Sequence, residues 1–429
     1  MTAPIATSQT ILVVGGGISG MTAALEAAEC GKQVILLEKS PTLGGRTALL
    51  YRYFPKLCHP TCGLEINLRR LKGNRSVRVM TMAEVTRITG TRGKYAVTIN
   101  IAPRYVNENC TACGECAKAV SSEIPNPYNY GLDKMKVAYL PHDMAYPSRY
   151  VLDPSAIGTA DADQAKAACK YDAIDLDMQP ETLELTVGAV IWATGWQPYD
   201  AAKIQPYGYD RYPNVVTSLE FERMADLHGP TGGKILRPSD GKEAKNIAFI
   251  QCAGSRDENH LRHCSRICCM ASLKQTQYVR EVYGEEGKST IYYIDIRVID
   301  RLEDFYQKVL KDQTVSFIKS KVARVAQDSK NGNLILHGVD TEGYHRYENH
   351  HDLVVLAIGM EPSVQGVDIP AEIIADSSGF LESETSGGIF GAGCAASPLD
   401  VNRSVQHATA AALRAIQVIN KIDGAEASL

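Results

Sequence analysis

Ile11-Leu-Val-Val14-Gly15-Gly16-Gly17-Ile18-Ser19-Gly20 opens the chain with a short β-branched strand that runs straight into a glycine-rich turn. Gly15 and Gly17 allow a tight turn and close approach of a pyrophosphate, and Gly20 allows a helix to pack on the strand. The helix predicted from Met21 to Cys30 then aims its N-terminus at the phosphates. A glycine fingerprint alone is weak. Here a second strand, Gln33-Val-Ile-Leu-Leu37, follows and ends in Glu38, close to the spacing of about 20 residues expected for an acid that binds ribose hydroxyls. Strand, turn, helix, strand and acid together predict a dinucleotide-binding unit at the start of the chain.

Three further segments extend that reading. Glu38-Lys-Ser-Pro-Thr-Leu-Gly44-Gly45-Arg46 resembles the two-dinucleotide-domain flavoproteins, in which this Gly-Gly lies beside the FAD pyrophosphate. Val187-Gly-Ala-Val-Ile-Trp-Ala193-Thr194-Gly195 resembles the turn that closes the first FAD segment of that superfamily, and Ile389-Phe-Gly391-Ala392-Gly393 its C-terminal flavin motif. Cys394 stands where the superfamily usually has Asp, so contact with the ribityl chain must be made differently or by backbone. The resemblance implies FAD held by Gly15, Gly17, Ile18, Ser19, Gly20, Glu38, Lys39, Gly44, Gly45, Arg46, Ala193, Thr194, Gly195, Gly359, Gly393 and Cys394.

A cysteine run interrupts this framework. Cys110-Thr-Ala-Cys113-Gly-Glu-Cys116 has the C-x2-C-x2-C spacing of a bacterial [4Fe-4S] motif, but Val120 stands where a second cluster's cysteine would follow. A fourth ligand for the surviving cluster is available in Cys169, where a second motif would end. Zinc is the alternative, since C-x2-C pairs also bind it. The prolines at 125, 127, 141, 147 and 154 predict extended, irregular chain through the insert, an excursion long enough to suggest docking of a partner.

A second nucleotide unit is expected later in such a flavoprotein. Lys245-Asn-Ile-Ala-Phe-Ile-Gln251 reads as its first strand, yet Cys252-Ala-Gly-Ser follows in place of a glycine fingerprint, so a pyrophosphate has no cradle. Cys264, Cys268 and Cys269 follow within eighteen residues of Cys252, with Cys264 and Cys268 spaced to share one face of a helix. Four thiols so spaced predict a second cubane, with a disulfide, zinc or buried core thiols as the other readings.

These cysteine segments resemble the A subunit of heterodisulfide reductase, a FAD and iron–sulfur protein, over Ile11 to about Asn420. That resemblance implies that Cys252, Cys264, Cys268 and Cys269 ligate an unusual [4Fe-4S] cluster beside the flavin, and the chain's length that of a member lacking extra ferredoxin modules. The stretch from Arg46 through Cys58-His-Pro-Thr-Cys62 looks most like the A subunits of the quinone-interacting membrane-bound oxidoreductase complexes of sulfate reducers. This implies electron transfer between a membrane quinone pool and adenylylsulfate (APS) reductase. The implied partners are a larger flavin and iron–sulfur protein together with a membrane cytochrome-b-type subunit, the implied place the inner face of the cell membrane. An electron-bifurcating subunit of heterodisulfide reductase type is the alternative.

The fold class expected is therefore α/β, a thioredoxin-reductase-like two-dinucleotide-binding-domain flavoprotein with a ferredoxin-like [4Fe-4S] insertion. Residues 9–103, 178–225 and 360–423 are assigned to the FAD domain, 104–177 to the insert and 226–359 to the degenerate NAD-type domain, with 229–241 as linker. At 429 residues and 45% apolar content the chain is long enough for two or three cores, and its net charge of −4 gives no case for nucleic acid or anionic lipid. Met1 to Gln9 shows no export signal and no segment approaches the roughly 20 apolar residues of a membrane span. Twelve clustered cysteines point to metal or redox work in a reducing compartment. Cys58 and Cys62 are flavin neighbours or, in an NAD(P)H-dependent disulfide reductase, a redox pair; Tyr53 and His59 are candidates to tune the flavin. Cys30 reads as a core residue, and His345 to His351 as a polar hairpin end.

Overall fold

A computed structural model describes residues 5–364, 373–382 and 387–426, with no side chains beyond 421. The stretches 365–372 and 383–386 of the expected third flavin segment lie outside the described residues. The chain divides into two compact units: Met1–Ala48, Thr61–Trp196 and Pro362–Leu429 form the first, Leu49–Pro60 and Gln197–Glu361 the second.

In the first unit five parallel strands lie in the order Ile389–Gly391, Ala189–Trp192, Thr10–Val14, Gln33–Glu38, Val77–Thr81. Alternation along the strands sorts their side chains between two faces. Ile11 and Val13 join one core, under the helices Ile18–Glu29 and Val401–Glu426. Leu12, Val14, Ile35 and Leu37 join the other, beneath an antiparallel sheet of Glu181–Val187, Lys94–Ile101 and Ala83–Thr91. The two helices bury alanines at helical spacing, Ala23, Ala24, Ala27 and Ala28 on one and Ala408, Ala411, Ala412 and Ala415 on the other. Small side chains at the seam let the backbones approach closely. Cys30, expected in this core, is exposed instead: the helix ends at Glu29 and Gly31, at φ +80°, turns the chain outward.

The insert has a small core of its own, including Val106, Val120, Leu152, Ala165 and Ile174. Val120, at the position of the missing cysteine, is a packing residue there, 4% exposed. Two contacts tether the insert within its unit. Tyr146 exchanges hydrogen bonds with the segment before Gly44, its carbonyl accepting from Leu43 N–H at 2.9 Å and its N–H donating to Thr42 Oγ1 at 2.9 Å. Arg104, 6% exposed, donates to Thr81 Oγ1 at 2.9 Å, to the Pro41 carbonyl and to the Arg149 carbonyl at 3.3 Å. Burial, with the Arg149 charge nearby, lowers this guanidinium to about 10. The tyrosine-rich stretch expected to dock a partner is thus partly spent on the unit's own glycine-rich segment.

The second unit carries five parallel strands in the order Val215–Thr217, Leu353–Ile358, Asn246–Ala253, Lys288–Tyr293, Val315–Lys319, with the helix Cys268–Tyr283 and a three-stranded antiparallel sheet. Pairing of Val215–Thr217 with Leu353–Ile358 draws residues 197–225 into this unit, not into the flavin domain. The glycine- and proline-rich 229–241 stretch is packed where a linker was expected: Ile235 is fully buried, and Arg237 donates to Asn333 Oδ1 at 2.7 Å and to the Asn331 carbonyl at 2.8 Å. His345–His351 is a full strand pairing with Leu334–Asp340.

His351 within it is 3% exposed, with Nδ1 2.9 Å from Asn246 Oδ1 and Nε2 2.9 Å from Tyr292 Oη. Asn246 Oδ1 can only accept and Tyr292 Oη already accepts from Asn349 Nδ2, so the ring is neutral with its proton on Nδ1. Burial lowers its pKa to about 4. The unfolded chain therefore takes up a proton below its ordinary value near 6.5 that the folded unit refuses, and stability falls as pH drops from about 6.5 toward 4. The loss is on the order of 2–3 kcal/mol. His351→Gln is expected to flatten that part of the pH dependence of chemical denaturation; an unchanged slope refutes the assignment. Among the described residues no helix is long and apolar enough to cross a membrane.

Candidate functional site

The glycine turn, the acid and the closing turns gather at the C-terminal ends of the first unit's parallel strands, where such sheets bind nucleotides. A Cβ on Gly15 would lie 2.4 Å from the Ala193 carbonyl oxygen, and one on Gly20 only 1.7 Å from that of Gly15. Gly17 is different: its Cβ position meets nothing closer than Gly45 Cα at 3.9 Å, and it caps the first helix without a side-chain bond or an acid in the first turn. The helix N-terminus, with Ile18 and Ser19 in its first turn, thus carries no side-chain cap. Glu38 accepts from Gly16 N–H and Ser40 N–H, each at 2.7 Å, and burial raises its pKa. Gly44 bridges to Gly17, and Arg46 donates to the Trp196 carbonyl at 2.8 Å while lying over that indole. Thr194 Oγ1 is 2.7 Å from Ser363 Oγ, and the Gly195 carbonyl accepts from Ser363 N–H.

The C-terminal motif comes to the same place. Gly393, at φ +62°, has room for no Cβ, since Ser19 Oγ would be 2.0 Å away. Cys394 turns its thiol inward, donating to the Leu399 carbonyl at 3.2 Å. Lys39 is exposed and paired with Glu84. Gly359 belongs to the second unit, wedged against Ser255.

In the insert, Cys110, Cys113, Cys116 and Cys169 line one cavity together with Tyr150 and Tyr171. Ala112 at φ +57° and Gly114 at +80° fold the loop around it, and Ala173 N–H donates to Cys169 Sγ at 3.3 Å. Burial pushes the Cys116 thiol up to about 11, and its three companions add to the shift.

The second unit gathers its four in another way. The strand Asn246–Ala253 is irregular between Ile250 and Ala253, where Cys252 adopts φ +55°, and the next helix starts only at Cys268. No tight strand-turn-helix cradle forms. Cys264 is not on that helix, as its spacing from Cys268 suggested. Arg266 at φ +65° breaks the helical path, and Ser265 Oγ is held by Met360 N–H at 2.8 Å and lies 2.8 Å from Ser255 Oγ. Arg266 N–H donates to Cys264 Sγ at 3.3 Å and Arg297 N–H to Cys269 Sγ at 3.4 Å. Burial raises Cys268 well above an ordinary thiol, with Cys269, Cys252 and Cys264 contributing. Cys268 and Cys269 occupy the first turn of their helix, the end that favours thiolates.

Around a single zinc ion at about 2.3 Å, four sulfurs would stand roughly 4 Å apart. Among the described residues no three His, Cys, Asp or Glu side chains converge closely enough to hold one metal ion. The insert's four thiols line a common space, a donor set that suits an iron–sulfur cluster or a zinc ion. All twelve cysteines are free of disulfides; Cys58 and Cys62 are exposed and fall in different units. His59 Nε2 stands 3.9 Å from Asp226 Oδ2, and burial lowers its pKa.

The family model of FAD dependent oxidoreductases matches residues 10–62. Thioredoxin reductase of T. acidophilum shares the fold with a TM-score of 0.54 at 14% identity, covering 95% of this chain and 98% of that one. Bacillithiol disulfide reductase of Bacillus cereus does so with a TM-score of 0.51 at 13% identity, covering 96% and 98%. An iron–sulfur A subunit of CoB–CoM heterodisulfide reductase from Methanopyrus kandleri is 39% identical over 419 residues, 94% of this chain and 63% of that one. The A subunit of the ferredoxin/F(420)H(2)-dependent CoB–CoM heterodisulfide reductase of Methanosarcina acetivorans is 35% identical over 427 residues, 96% and 53%. The chain thus spans between about half and two thirds of these relatives' length. It has the thioredoxin-reductase-like two-domain fold of FAD oxidoreductases, and over nearly its whole length it is similar to the A subunits of heterodisulfide reductases.

Proposed function

We propose that the chain is an electron-transferring oxidoreductase subunit that holds FAD in its first unit and two [4Fe-4S] clusters, one on Cys110, Cys113, Cys116 and Cys169 and one on Cys252, Cys264, Cys268 and Cys269. FAD, when bound, exchanges electrons in pairs or singly, and each cluster exchanges one. The observation that carries the reading is the gathering of two separate sets of four thiols, the second where a pyridine nucleotide's glycine cradle would stand. Gly15, Gly17 and Gly20 would shape the turn that takes the pyrophosphate, the first turn of the helix would offer its N–H groups, and Glu38 would receive the ribose hydroxyls. Backbone N–H groups of Ala173, Arg266 and Arg297 hold thiolate charge.

The partners in this reading are further subunits of a heterodisulfide-reductase-like complex. The finer assignment places the chain between a membrane quinone pool and APS reductase, docked on the membrane's inner face through a cytochrome-b-type partner and a larger flavin and iron–sulfur protein. It rests on the segment from Arg46 to Cys62. An electron-bifurcating role of heterodisulfide reductase type fits the same residues.

Anaerobic purification tests the core reading. About eight irons and as many acid-labile sulfides per chain are expected, with FAD released on denaturation; fewer than about six irons counts against two clusters. Rapid bleaching of the flavin by NADPH would favour a disulfide reductase instead.

A further inference from the structure

The two thiol sets differ in what surrounds them. Among the described residues no side chain donates a hydrogen bond to Cys110, Cys113, Cys116 or Cys169. In the second unit Arg256 Nη1 lies 3.8 Å from Cys252 Sγ, and the same nitrogen is paired with the Asp295 carboxylate. Asp295 is itself built into the site, since its backbone carbonyl accepts from Cys269 Sγ at 3.8 Å and its side chain is 3.5 Å from Arg297 Nε. Cys252 and Arg256 both adopt left-handed backbone, at φ +55° and +56°, a conformation that strains non-glycine residues and that brings this sulfur and this guanidinium together.

We propose that Arg256 is a positioning residue that raises the reduction potential of the iron–sulfur group on Cys252, Cys264, Cys268 and Cys269, with the paired Asp295 carboxylate partly offsetting its charge. Adding an electron to the cluster adds negative charge, and a cation in hydrogen-bond reach of a ligating sulfur stabilises the reduced state. The inference rests on the cluster reading above.

The test is a potentiometric titration of the full chain with dithionite, which donates one electron per cluster, followed by electron paramagnetic resonance alongside iron counts. Arg256→Gln is expected to move one midpoint potential to a more negative value and leave the other in place. Arg256→Lys retains part of the wild-type value. Asp295→Asn moves the same midpoint the opposite way, because it removes the offsetting charge. With iron content intact, shifts of the same sign in Arg256→Gln and Asp295→Asn, or no shift in either, would reduce Arg256 to a structural prop and overturn the proposal. If Arg256→Gln sheds iron, the opposed signs of Arg256→Lys and Asp295→Asn decide the matter alone. A wild-type protein with only about four irons overturns the cluster reading itself.

Discussion

Anaerobically purified protein carrying Cys268→Ser and Cys269→Ser is expected to hold about half the wild-type iron and acid-labile sulfide, roughly four of each per chain in place of eight. Its flavin content should be unchanged. The two sulfurs come from the first turn of the helix Cys268–Tyr283, and Cys269 is buried with Arg297 N–H directed at it. Serine keeps the volume but is a poor ligand to iron, so the loss falls on the cluster rather than on the fold. Cys113→Ser with Cys116→Ser should remove the other half, because those thiols line a separate cavity in a separate unit. Loss of all iron from either variant would show one shared site, and no loss from the first would leave Cys268 and Cys269 as core thiols.

Lys274→Met is expected to destabilise the second unit by about 3–5 kcal/mol, as breaking a buried ion pair does. Lys274 and Glu222 are each 2% exposed, and Lys274 Nζ is 2.8 Å from Glu222 Oε1. Glu222 also accepts from Gln275 Nε2 at 2.6 Å, Tyr278 Oη at 3.1 Å and Tyr51 N–H at 3.1 Å, while Lys274 reaches the Arg52 carbonyl at 2.7 Å. These bonds fasten the segment Leu49–Pro60 to the helix that starts at Cys268. Without the ammonium, a carboxylate stays buried among neutral donors. The double variant Lys274→Met with Glu222→Met should recover most of the loss, since both charges then leave together. Chemical denaturation, read at the second unit's transition, checks both; a single variant within about 0.5 kcal/mol of wild type would refute the assignment.

Much of the site was legible because spacing carries chemistry. The strand before Gly15, the acid at Glu38 and the turns at Ala193 and Gly393 are local features, and the fold brings them to one sheet edge. The insert's cysteines were equally readable, since a C-x2-C-x2-C run fixes three ligands by itself. Cys264 was misplaced by the same logic. A four-residue interval suits a helix face, but the Ser265 contacts to Met360 and Ser255 hold that stretch as a loop, and both partners are remote or non-helical. Cys30 was misjudged because composition favours burial of thiols, whereas Gly31 ends the helix one residue too soon. Arg104, Arg256 and Lys274 gave no signal, being isolated cations in ordinary sequence.

By itself the sequence determined which residue types meet a dinucleotide and which can hold iron, because glycine freedom and thiolate affinity belong to the residue and its near neighbours. Only the tertiary structure decided that residues 197–225 join the second sheet, that Tyr146 and Arg104 bind the insert to the glycine-rich segment, and that a guanidinium stands against Cys252. Those contacts join residues from 4 to more than 130 apart, and they form because a buried polar group must find its partners within the fold.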